Sequence, residues 1–80
     1  MIGYNLKDLQ AAEKLVDICN KYPELQIDCI RGKYIVDPRS VLGLMSVVGG
    51  FVGLDIPQEN IDRHSDTYKL FKEEVDQCLS

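Results

Sequence analysis

The sequence predicts a two-layer α+β domain, an antiparallel sheet covered on one side by helices. Three observations lead there. Segments with helical apolar spacing alternate with segments of strict apolar/polar alternation. Each strand-like segment has one polar face, so helices are needed on the other face only. The chain has 80 residues, enough for a single thin core and too few for two, so residues 1–80 are read as one domain.

The elements follow in order. Met1 to Asn5 is a short N-terminal segment that can serve as a strand. Leu6 to Tyr22 carry apolar groups at Leu9, Ala12, Leu15, Val16, Cys19 and Tyr22, one face of a helix. Asn5 is its expected N-cap, Pro23 its stop, and Asp17 with Lys21 an i,i+4 ion pair. Glu24 to Ile30 alternate, with Leu25, Ile27 and Cys29 on one face, as a half-buried strand does. Arg31-Gly32 is expected to make a two-residue turn into a second strand, Lys33 to Asp37, closed by Pro38. Ser40 then N-caps a short helix from Val41 to about Val48, ended by Gly49-Gly50. Phe51 to Ile56 alternate again, with Val52, Leu54 and Ile56 sharing a face. Pro57 to His64 read as a polar loop. Ser65 caps a last helix whose face is Tyr68, Phe71, Val75, Cys78 and Leu79.

Composition narrows the function. The net charge is −4, from nine cations and thirteen anions. Nucleic acid is gripped by clustered Lys and Arg, and anionic membranes attract basic patches, so neither is an expected partner. No stretch is long and apolar enough to span a bilayer, and the first residues lack the pattern of a secretion signal. Cys19, Cys29 and Cys78 form no CxxC pair and their number is odd. Reduced thiols in a cytoplasmic protein, serving as small buried hydrophobes, fit better than disulfides.

The run Gly32-Lys33 … Arg39-Ser40-Val41-Leu42-Gly43-Leu44-Met45-Ser46, with Lys21-Tyr22 ahead of it, resembles the regulatory region of HPr, the histidine-containing phosphocarrier protein of the bacterial sugar phosphotransferase system. That family has a hairpin ending Gly-Lys, then Lys-Ser-Ile-Met-Gly-Val-Met-Ser opening its short second helix. The resemblance is specific from Asp28 to Val48 and covers residues 6 to 79 as architecture. It implies the family's open-faced β-sandwich, an antiparallel sheet with three helices on one side.

The resemblance also implies where chemistry should lie. The family's nucleophile sits in a His-x-Arg-Pro segment entering the first helix. Counting back from Lys21-Tyr22 places Asp8 at the histidine, Gln10 at the arginine and Ala11 at the proline. The first strand reads as shortened, and the stretch between Gly32 and Ser40 as one residue longer than usual. An imidazole suits phosphate relay because it is nucleophilic at neutral pH and leaves readily once phosphorylated. The single histidine, His64, falls instead before the last helix, beside Arg63. Asp62, His64 and Asp66 offer only ligand-like spacing, and no metal or other cofactor is expected.

Two features remain. The serine matching Ser40 is phosphorylated by an ATP-dependent kinase in many Gram-positive members of the family. A phosphate there would meet free N–H groups at the helix start; the plainer role is capping, worth roughly 1 kcal/mol. Residues matching Val41, Leu42 and Met45 form the family's apolar docking patch. So short a helix cannot bury large side chains all round, so exposure is expected at Leu42 and Met45, with Leu44 and Val48 turned inward.

The resulting expectation is a non-enzymatic regulatory protein-binding module of the catabolite-control type. Its partners would be a serine kinase, phosphotransferase components or a transcription regulator. Two alternatives stand beside it. One is an active phosphocarrier using His64 or Asp8. The other is a structural, oligomerising domain, for example a homodimer that manages the sheet edge left by a shortened first strand.

Overall fold

Residues 1–79 are described in the computed structural model, which contains four strands and four helices. The chain begins with β1 (Ile2–Leu6) and α1 (Leu9–Asn20), and continues through β2 (Asp28–Arg31) and β3 (Tyr34–Val36). It then forms α2 (Val41–Met45), β4 (Gly50–Asp55), α3 (Gln58–Arg63) and α4 (Ser65–Leu79). The strands make one antiparallel sheet in the order β1-β4-β2-β3. The α+β class and the open sheet match the expectation; the number of helices is four rather than three.

Alternation sets which side of the sheet is covered. Tyr4, Leu6, Cys29, Val52 and Leu54 point inward and are buried. They meet Ala12, Leu15, Val16 and Cys19 of α1, Leu44 of α2, and Phe71 and Val75 of α4 in one core. The α1 face follows the predicted period, except that Leu9 is exposed while Ala11 and Ile18 join the core.

β1 is not a remnant. All five of its residues pair with β4, from Ile2 opposite Leu54 to Leu6 opposite Gly50. Asn5 therefore belongs to the strand and does not cap α1. Asp8 takes that role: its backbone is extended (φ −154°) and its Oδ1 accepts from the Ala11 N–H at 2.8 Å.

β2 starts four residues later than the alternation of Glu24 to Ile30 suggests. Leu25 and Ile27 are still buried, but side chains claim the backbone groups around them. Arg39 Nη2 donates to the carbonyls of Tyr22 and Leu25 (2.9 and 3.0 Å). Asn60 Oδ1 accepts from the Gln26 N–H (2.9 Å), and its Nδ2 donates to the Glu24 carbonyl (3.1 Å). The hairpin turn is Gly32-Lys33, one residue beyond the expected pair, and Gly32 supplies the positive φ of 59° that the turn requires.

The segment read as a polar loop contains α3. Ile61 is its one apolar residue, too little to produce a period. Local bonds hold it instead: Asn60 and Ile61 N–H donate to the Pro57 carbonyl, and Gln58 Nε2 donates to Asp62 at 2.9 Å. His64 ends α3, and α4 follows directly, its first backbone bond running from the Tyr68 N–H to the His64 carbonyl (2.8 Å). Ser65 is thus the first helical residue rather than the cap. Of the predicted α4 face, Phe71, Val75 and Leu79 are buried, whereas Cys78 is exposed.

Two carboxylates of α4 tie that helix to β1 and to the end of α1. Asp76 accepts from the Tyr4 hydroxyl (2.6 Å) and from Lys72 Nζ (2.9 Å). Glu74 accepts from Lys21 Nζ (3.1 Å) and the Tyr22 hydroxyl (2.9 Å), so Lys21 pairs across helices and not with Asp17. These bonds hold both carboxyls below their ordinary range, the Tyr4 bond being the largest cause for Asp76 and the Lys21 bond for Glu74. A depressed folded pKa stabilises the fold above the unfolded value, about 4, and that contribution is lost as pH falls through the folded value. A Glu74→Gln, Asp76→Asn variant should therefore be less stable than the parent near neutrality, with the difference closing as pH falls through the lowered pKa values of the folded state. Urea unfolding across pH checks this; a gap independent of pH would contradict it.

Candidate functional site

The site predicted from sequence is built on the turn Asp37-Pro38-Arg39. Asp37 Oδ1 accepts from the Arg39 N–H (2.9 Å), its carbonyl accepts from the Ser40 N–H (3.0 Å), and Pro38 is buried beneath. This turn sets Ser40 at the N-cap of α2, extended at φ −106°, with Oγ accepting from the Gly43 N–H at 3.1 Å. Leu44 N–H donates to the Ser40 carbonyl, the first helical bond. Ser40→Ala should destabilise the fold by roughly 1 kcal/mol through loss of that cap, as read by urea unfolding; no loss would mean that the cap is dispensable.

α2 is shorter than the predicted span, ending at Met45, and its sidedness is sharp. Leu44 and the following Val47 are buried, and Val48 is partly buried. On the other side Leu42 is 80 % exposed, Met45 52 % and Val41 36 %. Residues 41 and 45, and 42 and 45, stand one turn apart, so the three side chains share the outer surface. Gly43 lies between the two sides, where a β-carbon would sit 3.4 Å from the Asp37 carbonyl oxygen, so the close approach at this glycine is by the chain's own backbone.

Five helical residues would not hold themselves in water. The surroundings fix them at both ends. Arg39 clamps the start of α2 to the chain leaving α1. At the other end Arg31 Nη1 donates to the Val47 and Val48 carbonyls (2.8 and 3.1 Å), a cation placed where the chain leaves the helix. The Gly49 N–H donates to the Leu6 carbonyl (2.8 Å), which brings this end beside the entrance to α1. The exposed side chains thus project from a rigid support.

The other predicted positions are placed apart from one another. Only Lys7 and Asp8 connect β1 to α1, and the Asp8 carboxylate caps the helix by accepting from the Ala11 N–H, one of the donors at its start. His64 lies at the far end of the helical layer. α4, 15 residues and so about 22 Å long, begins next to His64 and ends at Leu79, which lines a small depression with Asn5, Lys7, Ala11 and Cys78. His64 is therefore about a helix length from Asp8. A second, open depression is lined by Arg31, Gly32, Lys33, Tyr34 and Ser46. Neither contains Ser40, Asp8 or His64.

Burial pushes the Cys19 thiol up to about 12 and the Cys29 thiol up to about 11, which makes both poor nucleophiles. Among the described residues no three His, Cys, Asp or Glu side chains gather as metal ligands would, and no helix is long and apolar enough to cross a membrane.

Sequence reasoning missed Asn60, whose one side chain satisfies two backbone groups. It also missed the outward face of the sheet. The signal for that face was present in the opposite phase of Phe51 to Ile56, which puts Phe51 outside. No protein-family profile, curated protein or solved structure matches the chain.

Proposed function

We propose that this chain is a regulatory protein-binding module of HPr-like type that docks partners through the outer side of α2 and does not relay phosphate on a histidine. The observation that carries the reading is the exposure of Val41, Leu42 and Met45 on a five-residue helix whose opposite side is locked into the core. An apolar patch on a rigid base, rimmed by polar residues, is what a docking surface requires. The open-faced antiparallel sandwich supports the same reading, as does the sequence around Ser40.

Charge does not single out a partner here, since Arg31, Lys33 and Arg39 are matched in number by Asp28, Asp37 and Asp55 along the same stretch, and Arg31 and Arg39 are bonded to backbone carbonyls. The serine kinase, phosphotransferase components or a transcription regulator remain the proposed partners, in the cytoplasm of a bacterium.

A carrier role for Asp8 or His64 is disfavoured by their positions. Asp8 is committed to capping α1, and His64 is at the other end of the layer. The oligomerising alternative keeps a sheet edge to manage, because β1 pairs along its length with β4 on one side and is an outer strand of the sheet on the other.

The test uses the HPr serine kinase with ATP. Phosphoserine should form at Ser40, read by mass spectrometry, and Leu42→Ser with Met45→Ser should slow it at least about tenfold while changing stability by less than about 0.5 kcal/mol. Unchanged kinetics in the double variant, or no phosphate on the folded parent, would remove the proposal.

A further inference from the structure

The helices cover one face of the sheet; the other face is bare, and its chemistry is specific. Register places Gly3, Gly53, Ile30 and Ile35 side by side across all four strands on this outer face. Phe51 is the diagonal neighbour along β4. Ile35 is 66 % exposed and Phe51 74 %. The Met1 side chain folds over Gly53, where a β-carbon would coincide with its thioether. Met1, Ile30, Ile35 and Phe51 therefore make one apolar island, with the polarisable, adaptable Met1 side chain lying over its glycine row.

At one end of this island Asp28 and Asp55 stand directly opposite each other. Like charges in that position are unfavourable, and neither carboxylate has a side-chain hydrogen bond or ion pair among the described residues. Alternation places no lysine or arginine at any outward position of the four strands. The face thus combines exposed apolar surface with two uncompensated negative charges.

We propose that this uncovered face is a second docking surface, separate from α2, and that its occupant is an amphipathic segment of a partner protein carrying an apolar stripe flanked by lysine or arginine. The stripe would cover Ile30, Ile35 and Phe51 and displace Met1. The flanking cations would meet Asp28 and Asp55, removing the like-charge penalty. A second copy of this chain is the poorer occupant, because its own outer face offers the same two carboxylates and no cation. A membrane is poorer still, since anionic lipid would repel that pair.

The test is an amide-resolved NMR titration of the full chain with a synthetic amphipathic helix built of leucine and lysine, alongside its leucine/glutamate counterpart. The lysine peptide should shift the amides of Asp28, Ile30, Ile35, Phe51 and Asp55. Asp28→Asn with Asp55→Asn should weaken it at least about tenfold, and Ile35→Ser with Phe51→Ser should abolish it. Glu73→Gln, on α4, should leave it unchanged. Both double variants alter exposed or half-exposed positions, and unshifted core resonances show that each remains folded. Shifts confined to α4, equal binding of the glutamate peptide, or no binding up to about 1 mM would overturn the proposal. So would a dimer of the free chain that Phe51→Ser converts to monomer, since the occupant would then be a second copy. The Leu42/Met45 variant should bind the peptide normally, which separates this result from the fate of the α2 reading.

Discussion

Phe71→Ala is expected to remove about 3–5 kcal/mol of stability, a large share of the roughly 4–12 kcal/mol that a domain of 80 residues holds. Phe71 is fully buried in α4 and meets the Tyr22 ring edge-on, with centroids 5.9 Å apart at 82°. Truncation would leave a cavity where α4 packs on α1, and would loosen the support of Tyr22, whose hydroxyl donates to Glu74. Surrounding groups can collapse only partly, because Leu15, Cys19 and Val75 are held by their own elements. Urea unfolding of parent and variant checks this. A loss below about 1.5 kcal/mol would mean that the α1–α4 contact is not the centre of the core.

Asn60→Ala should cost about 1–3 kcal/mol, a large effect for one polar side chain in a six-residue helix. Its amide satisfies the Gln26 N–H and the Glu24 carbonyl at once, and the residue is buried. Removing it leaves two backbone groups without partners while Leu25 and Ile27 still anchor the chain around them. Amide exchange should report the loss at Gln26 as well as in global stability. Retained protection of Gln26 with unchanged stability would contradict the assignment.

These two residues show how far the sequence could be read. Phe71 sits in a long helix whose apolar residues repeat every three to four positions, and that pattern alone gives its burial. The same holds for the alternation that turns Val52 and Leu54 inward, and for Ser40, whose residue type and place ahead of Val41 mark a cap. Asn60 is different. Its role depends on a contact with residues 34 and 36 positions away in sequence, and no local pattern encodes it. The strand expected from Glu24 fails for the same reason: Arg39 and Asn60 reach in from elsewhere and take its backbone groups.

At the candidate site, the two sides of α2 were legible because even the longer helix expected, Val41 to about Val48, has more large apolar residues than one inward side can take. Leu42 and Met45 are outward as their number and spacing imply. The isolation of His64 was not legible. It follows from α3 and α4 being consecutive helices, with α4 running back along α1 so that Leu79, not His64, arrives beside Ala11. The cap at Asp8 was hidden by the length assigned to β1. Once Leu6 pairs with Gly50, the helix can begin only after Lys7, and the aspartate at the expected phosphate entrance becomes part of the helix end.

The account rests on phosphate not passing through this chain, and incubation with phosphotransferase enzyme I and labelled phosphoenolpyruvate tests that most directly. The folded protein should acquire no acid-labile phosphate. Acid-labile label on His64, or label on Asp8 that hydroxylamine releases, would contradict the account.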